Sequence, residues 1–108
     1  MNTARYLMTL FALSFAFAAA DDQSANNPPT LISNPTYQNN CAKCHGKNAE
    51  GRFMAGPSLR SKKVAAASSD ELRTMIASGK GRMPKFGGKL AGGEIEALIN
   101  QIKAASVQ

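Results

Sequence analysis

The chain has 108 residues, 13 Lys and Arg against 7 Asp and Glu, a net charge of +6, two cysteines, one histidine and no tryptophan. That length bounds the folded part to one small domain. Two cysteines and a single histidine are too few for a structural zinc site, and no second histidine is present to serve as an acid–base. The basic balance permits an anionic partner, which at this point means nucleic acid, an anionic membrane or an acidic protein.

The first twenty residues read as a secretory signal peptide. Arg5 supplies the positive start, Leu7 to Ala18 is an apolar run, and Ala18-Ala19-Ala20 fits small-residue cleavage. Cleavage is expected after Ala20. The run is shorter than the ~20 residues of a spanning helix, so no stable membrane anchor is expected. There is no cysteine at the cleavage site for a lipid anchor and no twin arginine, which favours export of an unfolded chain into the periplasm. Twelve of the 13 Lys and Arg and all 7 Asp and Glu lie beyond Ala20, leaving the exported part at net +5. Its only aromatics are Tyr37, Phe53 and Phe86. So thin a core needs a staple or a cofactor.

Residues 21–33 include Asn26-Asn27-Pro28-Pro29-Thr30 and read as an irregular N-terminal arm. The domain is expected over 34–108. Asn34-Pro35 is a helix start, with Asn as N-cap and Pro in the first turn. A helix to about Ala42 places Tyr37, four positions before Cys41, on the same side as that cysteine.

Cys41-Ala42-Lys43-Cys44-His45 is a C-x-x-C-H sequence, the attachment signature of a c-type haem. Two thiols three positions apart can each add to one vinyl group of a porphyrin, and His45 can ligate the iron from the same side. The competing readings fail on context. A thioredoxin-like pair needs a βαβ unit, and no strand pattern is present. A disulfide so local would cross-link no two parts of a fold. One covalently bound haem c is therefore expected.

Gly46 to Leu59 reads as a loop, with Phe53, Met54, Pro57 and Leu59 as its inward residues. Residues 60–67 are ambiguous. Ser68 and Glu71 form a capping box, Leu72, Met75 and Ile76 make an apolar stripe, and Gly79 ends that helix. Lys80 to Gly88 is a second loop, stiffened at Pro84. A last helix runs from about Gly93 to Ala105, with Ile95, Leu98, Ile99 and Ile102 on its apolar face. Glu94 and Glu96 near its start and Lys103 near its end suit the dipole. The expected class is all-α.

Cysteine and histidine are then exhausted, so the sixth iron position falls to methionine, lysine, tyrosine, the N-terminus, water or nothing. Met54 stands nine residues after His45, too few to cross to the opposite face of a porphyrin. Met75 belongs to the packing stripe. Met83 stands 38 residues downstream in a glycine-rich loop, and it is the expected ligand. A thioether is soft and favours ferrous iron, so His/Met ligation raises the potential. That trait, together with two strong ligands that change little between oxidation states, suits electron transfer.

Tyr37-x-x-x-Cys41-x-x-Cys44-His45-Gly46, Gly56-Pro57-Ser58-Leu59, Met83-Pro84-x-Phe86 and the terminal helix together resemble a small class I cytochrome c of the bacterial periplasmic type. The resemblance implies three to four helices wrapped round one haem. It implies that Pro57 packs on the His45 side, that its neighbourhood accepts the free imidazole N–H, and that the first and last helices cross. Pro57, Tyr37, Leu59 and Phe86 are the expected haem-packing residues. Ser33 stands where the family usually has glycine, and Gln101 where it has an aromatic. The family's tryptophan partner for the haem propionates is missing, and Arg60, Lys62 or Lys63 are its candidate replacements.

Lys43 and Lys47 flank the attachment site, and Lys80, Arg82, Lys85 and Lys89 flank Met83. A basic rim there would steer an acidic redox partner. The expected function is a soluble, monomeric, periplasmic one-electron carrier that is not an enzyme and binds no nucleic acid. The competing class is a haem enzyme or gas-binding sensor with an open or displaceable sixth site.

Overall fold

The computed structural model describes residues 29–107. The expected signal peptide and residues 21–28 of the arm lie outside that range.

Asn34 caps the first helix as its sequence suggests. It is extended, and its Oδ1 accepts the Thr36 backbone N–H at 2.9 Å. Pro35, with φ already near helical, then starts α1 (Pro35–Asn40). The single helix expected to Ala42 instead breaks at Cys41, whose φ is −112°. α2 (Ala42–His45) restarts at once and carries the second thiol and the imidazole. Gly46, at φ +89°, turns the chain out of it.

The segment from Lys47 to Ser61 is a loop pinned from within. The Gly51 N–H donates to the His45 carbonyl at 2.7 Å, and the Leu59 N–H to the Ala49 carbonyl at 2.9 Å. Ala49 is fully buried. Two of the expected inward residues face the other way. Phe53 is 95% exposed and Met54 73% exposed. The cause is a tight turn closed on itself, with the Arg52 N–H bonded to the Gly56 carbonyl at 2.9 Å. Its tip, with Met54 at φ +59°, projects from the surface and has no core to enter.

The ambiguous stretch forms one short helix, α3 (Lys62–Ala66), capped by the Ser61 hydroxyl. α4 (Ser69–Ser78) carries the full capping box: the Glu71 N–H donates to Ser68 Oγ at 3.1 Å and the Ser68 N–H to Glu71 Oε2 at 3.0 Å. Leu72 and Ile76 point into the core, and Gly79 stops the helix. α5 (Gly92–Ser106) buries Ile95, Leu98, Ile99 and Ile102. Glu94 accepts the Ala91 N–H at its start.

α3 and α4 both pack against α5. Lys103 of α5 donates to the Ala67 carbonyl just past α3, satisfying a terminal helix acceptor. α1 meets α5 through side chains: Asn34 Nδ2 donates to Gln101 Oε1 at 2.8 Å, and Thr36 Oγ1 to Glu94 Oε2 at 3.1 Å. A polar clasp thus occupies the place where the resemblance led one to expect an aromatic. Leu31, within the expected arm, is only 2% exposed and already belongs to the core. The fold is all-α, with five helices among the described residues. Its only β-type pairings there are two isolated bridges, Arg52–Gly56 and Lys80–Met83.

Candidate haem site

Among the described residues, the helices enclose a cavity of about 440 Å³, inside the usual range for cofactor sites. Its walls are mostly apolar, with Leu59, Val64, Leu72, Ile76, Leu98 and Ile102 among them. Cys41, Cys44 and His45 reach it from α2 and its cap, and Met83, Pro84 and Phe86 from the loop after α4. Residues 41 and 83, far apart in sequence, therefore share one cavity.

Cys41 is half-buried. Burial first, and the neighbouring Cys44 thiol second, push its pKa up to about 11. A redox-active thiol is activated by a lowered pKa, so Cys41 lacks that activation. No group of three His, Cys, Asp or Glu side chains comes together among the described residues, which leaves no zinc-type donor set there.

His45 Nδ1 lies 2.7 Å from the Pro57 carbonyl oxygen. A carbonyl only accepts, so Nδ1 carries a proton, and in the neutral ring it is Nε2 that holds the free lone pair. That is the tautomer a metal requires, held by an outer hydrogen bond. Gly56 permits the approach. A Cβ there would stand 2.8 Å from the Cys44 carbonyl oxygen and 3.2 Å from His45 Nδ1.

Met83 is half-buried in a loop seated on the end of α4. The Phe86 N–H donates to the Ile76 carbonyl at 3.0 Å and the Gly87 N–H to the Ala77 carbonyl at 3.1 Å. Phe86 is 5% exposed, and Lys89 Nζ sits 5.8 Å above its ring.

The cavity brings together Cys41, Cys44, His45, Pro57, Leu59, Met83 and Phe86. It does not include Tyr37. That ring is fully buried behind the attachment turn, and its hydroxyl donates to the Gly46 carbonyl at 2.6 Å. Tyr37 braces the motif from behind and is not on the lining of this cavity. Met54 is away from the cavity, whereas Met75, assigned to packing from its helix stripe, lies on the wall.

Charge at the cavity has one sign. Lys43, Lys63, Lys80 and Arg82 line it, and no Asp or Glu does. Lys47, Lys85 and Lys89 do not reach the lining. Of the three candidate propionate partners, only Lys63 lines the cavity. Arg60 is turned to the Asn48 carbonyl at 2.6 Å. Lys63 sits on one turn of helix that sequence periodicity left ambiguous.

An apolar cavity with two thiols, a metal-ready imidazole and a thioether on its lining fits a covalently bound haem. Comparison with known proteins agrees. Residues 33–101 match the family model described as cytochrome C oxidase, cbb3-type, subunit III. Cytochrome c-551 of Bacillus subtilis is 34% identical over 91 residues, covering 73% of this chain and 77% of that protein. Cytochrome c6 of Microcystis aeruginosa is 34% identical over 73 residues, covering 63% of this chain and 86% of that protein. Among solved structures, the c-type cytochrome XoxG from Methylobacterium extorquens AM1 matches with a TM-score of 0.57 at 26% identity. That match covers 65% of this chain and 45% of the XoxG chain, so this chain spans under half of that structure. The chain belongs to this c-type cytochrome family, as a small class I member that carries covalently bound haem c and serves electron transfer, not catalysis.

Proposed function

We propose that the protein is a soluble, monomeric one-electron carrier of the periplasm, with His45 and Met83 as axial ligands of its haem iron. The observation that carries this reading is the meeting of Cys41, Cys44, His45 and Met83 on one apolar cavity. Haem c bound there supplies one-electron exchange between ferric and ferrous iron.

The residues of the chain do the rest. Cys41 and Cys44 tether the group. The Pro57 carbonyl fixes the His45 ring and makes its free nitrogen more basic. Met83 offers a soft thioether that favours the reduced state. His45, held by the Pro57 carbonyl, and Met83, held in its own loop, would keep the same positions in both oxidation states, which would keep reorganisation small. Leu72, Ile76, Leu98 and Ile102 exclude water from the walls. Lys43, Lys80 and Arg82 give the lining a positive field, which suits a redox partner with an acidic docking surface. The signal-like segment before Asp21 supports export. No helix among the described residues is long and apolar enough to cross a membrane.

The test is optical. The oxidised protein should show the long-wavelength methionine-to-iron charge-transfer band. Met83→Ala should lose it and gain affinity for added imidazole. A high-spin spectrum in the unmutated oxidised protein would overturn the assignment.

A further inference from the structure

We infer that Gly79 is a positioning residue for Met83: the missing side chain at 79 is the seat on which the Met83–Pro84 peptide rests. This rests on the reading of Met83 as an iron ligand.

Gly79 has φ +71° and ψ 172°. That region is essentially reserved for glycine. It is also the residue at which α4 ends, with its N–H bonded to the Met75 carbonyl at 2.8 Å. The next four residues fold straight back. The Met83 N–H donates to the Lys80 carbonyl at 2.9 Å and the Lys80 N–H to the Met83 carbonyl at 3.3 Å. This returning strand passes directly over Gly79. A Cβ there would stand 2.5 Å from the Met83 carbonyl oxygen, 3.0 Å from the Pro84 carbonyl carbon and 3.1 Å from its oxygen.

These neighbours are backbone, not the yielding ends of long side chains. They are also held from the far side, because Phe86 and Gly87 are bonded to the Ile76 and Ala77 carbonyls. The strand therefore cannot slide along to make room. It has to lift, and lifting it moves Met83 relative to the cavity.

Gly81 supplies the internal comparison. It lies in the same loop, also at positive φ (+58°), yet a Cβ there meets nothing within 4 Å. A side chain at 81 imposes local backbone strain alone. A side chain at 79 also displaces the ligand-bearing peptide.

The experiment uses the haem-loaded full chain as unmutated protein, Gly79→Ala, Gly81→Ala, Met83→Ala and the Gly79→Ala/Met83→Ala pair. The readouts are the methionine charge-transfer band, the reduction potential and imidazole affinity. Gly79→Ala should lose most of the band, lower the potential and bind imidazole about tenfold more tightly. Gly81→Ala should keep the band and affinity of the unmutated protein. Adding Gly79→Ala to Met83→Ala should give no further gain in affinity, because the methionine through which Gly79 acts is gone. Equal behaviour of Gly79→Ala and Gly81→Ala overturns the proposal. If Met83→Ala itself keeps the band, the ligand assignment fails instead. Should Gly79→Ala not fold, proton NMR of the unmutated reduced protein decides. Contacts between the Gly79 α-protons and Met83 or Pro84 support the seat, and their absence overturns it.

Discussion

Asn34 and Gln101 join the two ends of the domain through one hydrogen bond, from Nδ2 to Oε1 at 2.8 Å. Asn34 uses its other amide atom to cap α1. One side chain thus starts the first helix and fastens it to the last. Asn34→Ala should lose the cap, at about 1 kcal/mol, and the clasp, at about 1 kcal/mol more. For a domain of this size that lowers the melting temperature by roughly 8–16 °C. Gln101→Ala loses only the clasp and should melt above Asn34→Ala. Equal losses in the two variants would contradict the double role.

The pattern of what the sequence disclosed follows from range. Asn34-Pro35, the Ser68–Glu71 box and Cys41–His45 work through neighbours within a few positions, so each is legible in the residue string. The clasp to Gln101 joins positions 67 apart and leaves no local mark. Tyr37 illustrates the boundary. Its spacing placed it beside Cys41, but its hydroxyl reaches over the attachment turn to Gly46. Phe53 and Met54 misled because apolar residues in a loop suggest burial, while the closed Arg52–Gly56 turn lifts them outward. α3 was hidden because five residues carry too little periodicity.

Tyr37 should titrate unlike a free phenol. Burial is the largest cause, followed by Cys41 while its thiol is free and by Glu50, and in the haem-free chain they push its pKa from 10.0 up to about 12. Burial and Glu50 keep it raised once Cys41 is a thioether. A raised phenol pKa means the fold favours the neutral form. This contribution is complete below pH 10 and is lost as pH rises from 10 towards 12. Phenolate absorbance and circular dichroism should therefore change together in that window. Tyr37→Phe removes the ionisation step. It should cost about 1 kcal/mol at neutral pH, because the Gly46 carbonyl still accepts the Ala49 N–H at 3.2 Å. A phenolate signal near pH 10 with intact helicity would refute the buried hydrogen bond.

Removing both attachment thiols tests how far the haem serves as core. Without the haem, the apolar walls of the cavity, Leu72, Ile76, Leu98 and Ile102 among them, lose their packing partner and face water, in a domain whose whole stability is typically about 5–15 kcal/mol. Cys41→Ser with Cys44→Ser should give a largely unfolded chain by circular dichroism. A haem-free, cooperatively melting double variant would show that the helices stand alone.

The charged lining and the exposed turn should separate kinetically. Electron exchange with a carboxylate-coated electrode should slow as salt rises, because screening at 0.1 M acts beyond about 10 Å. Arg82→Glu should weaken that salt dependence. Phe53→Ser should leave it unchanged and shift stability by less than about 0.5 kcal/mol, since the ring is 95% exposed. A flat salt response in the unmutated protein would count against an acidic partner.

The Asn34–Gln101 clasp also makes the domain nearly circular. Its first and last helices are already fastened, while the Phe53–Met54 turn lies on the surface between elements. A linker from the end of α5 to the start of α1, with new termini cut at that turn, would interrupt no helix and leave Cys41–His45 and Met83 on their own elements. The order in which the chain is written is thus separable from the cavity it builds, and a permuted chain should bring Cys41, Cys44, His45 and Met83 back to one lining.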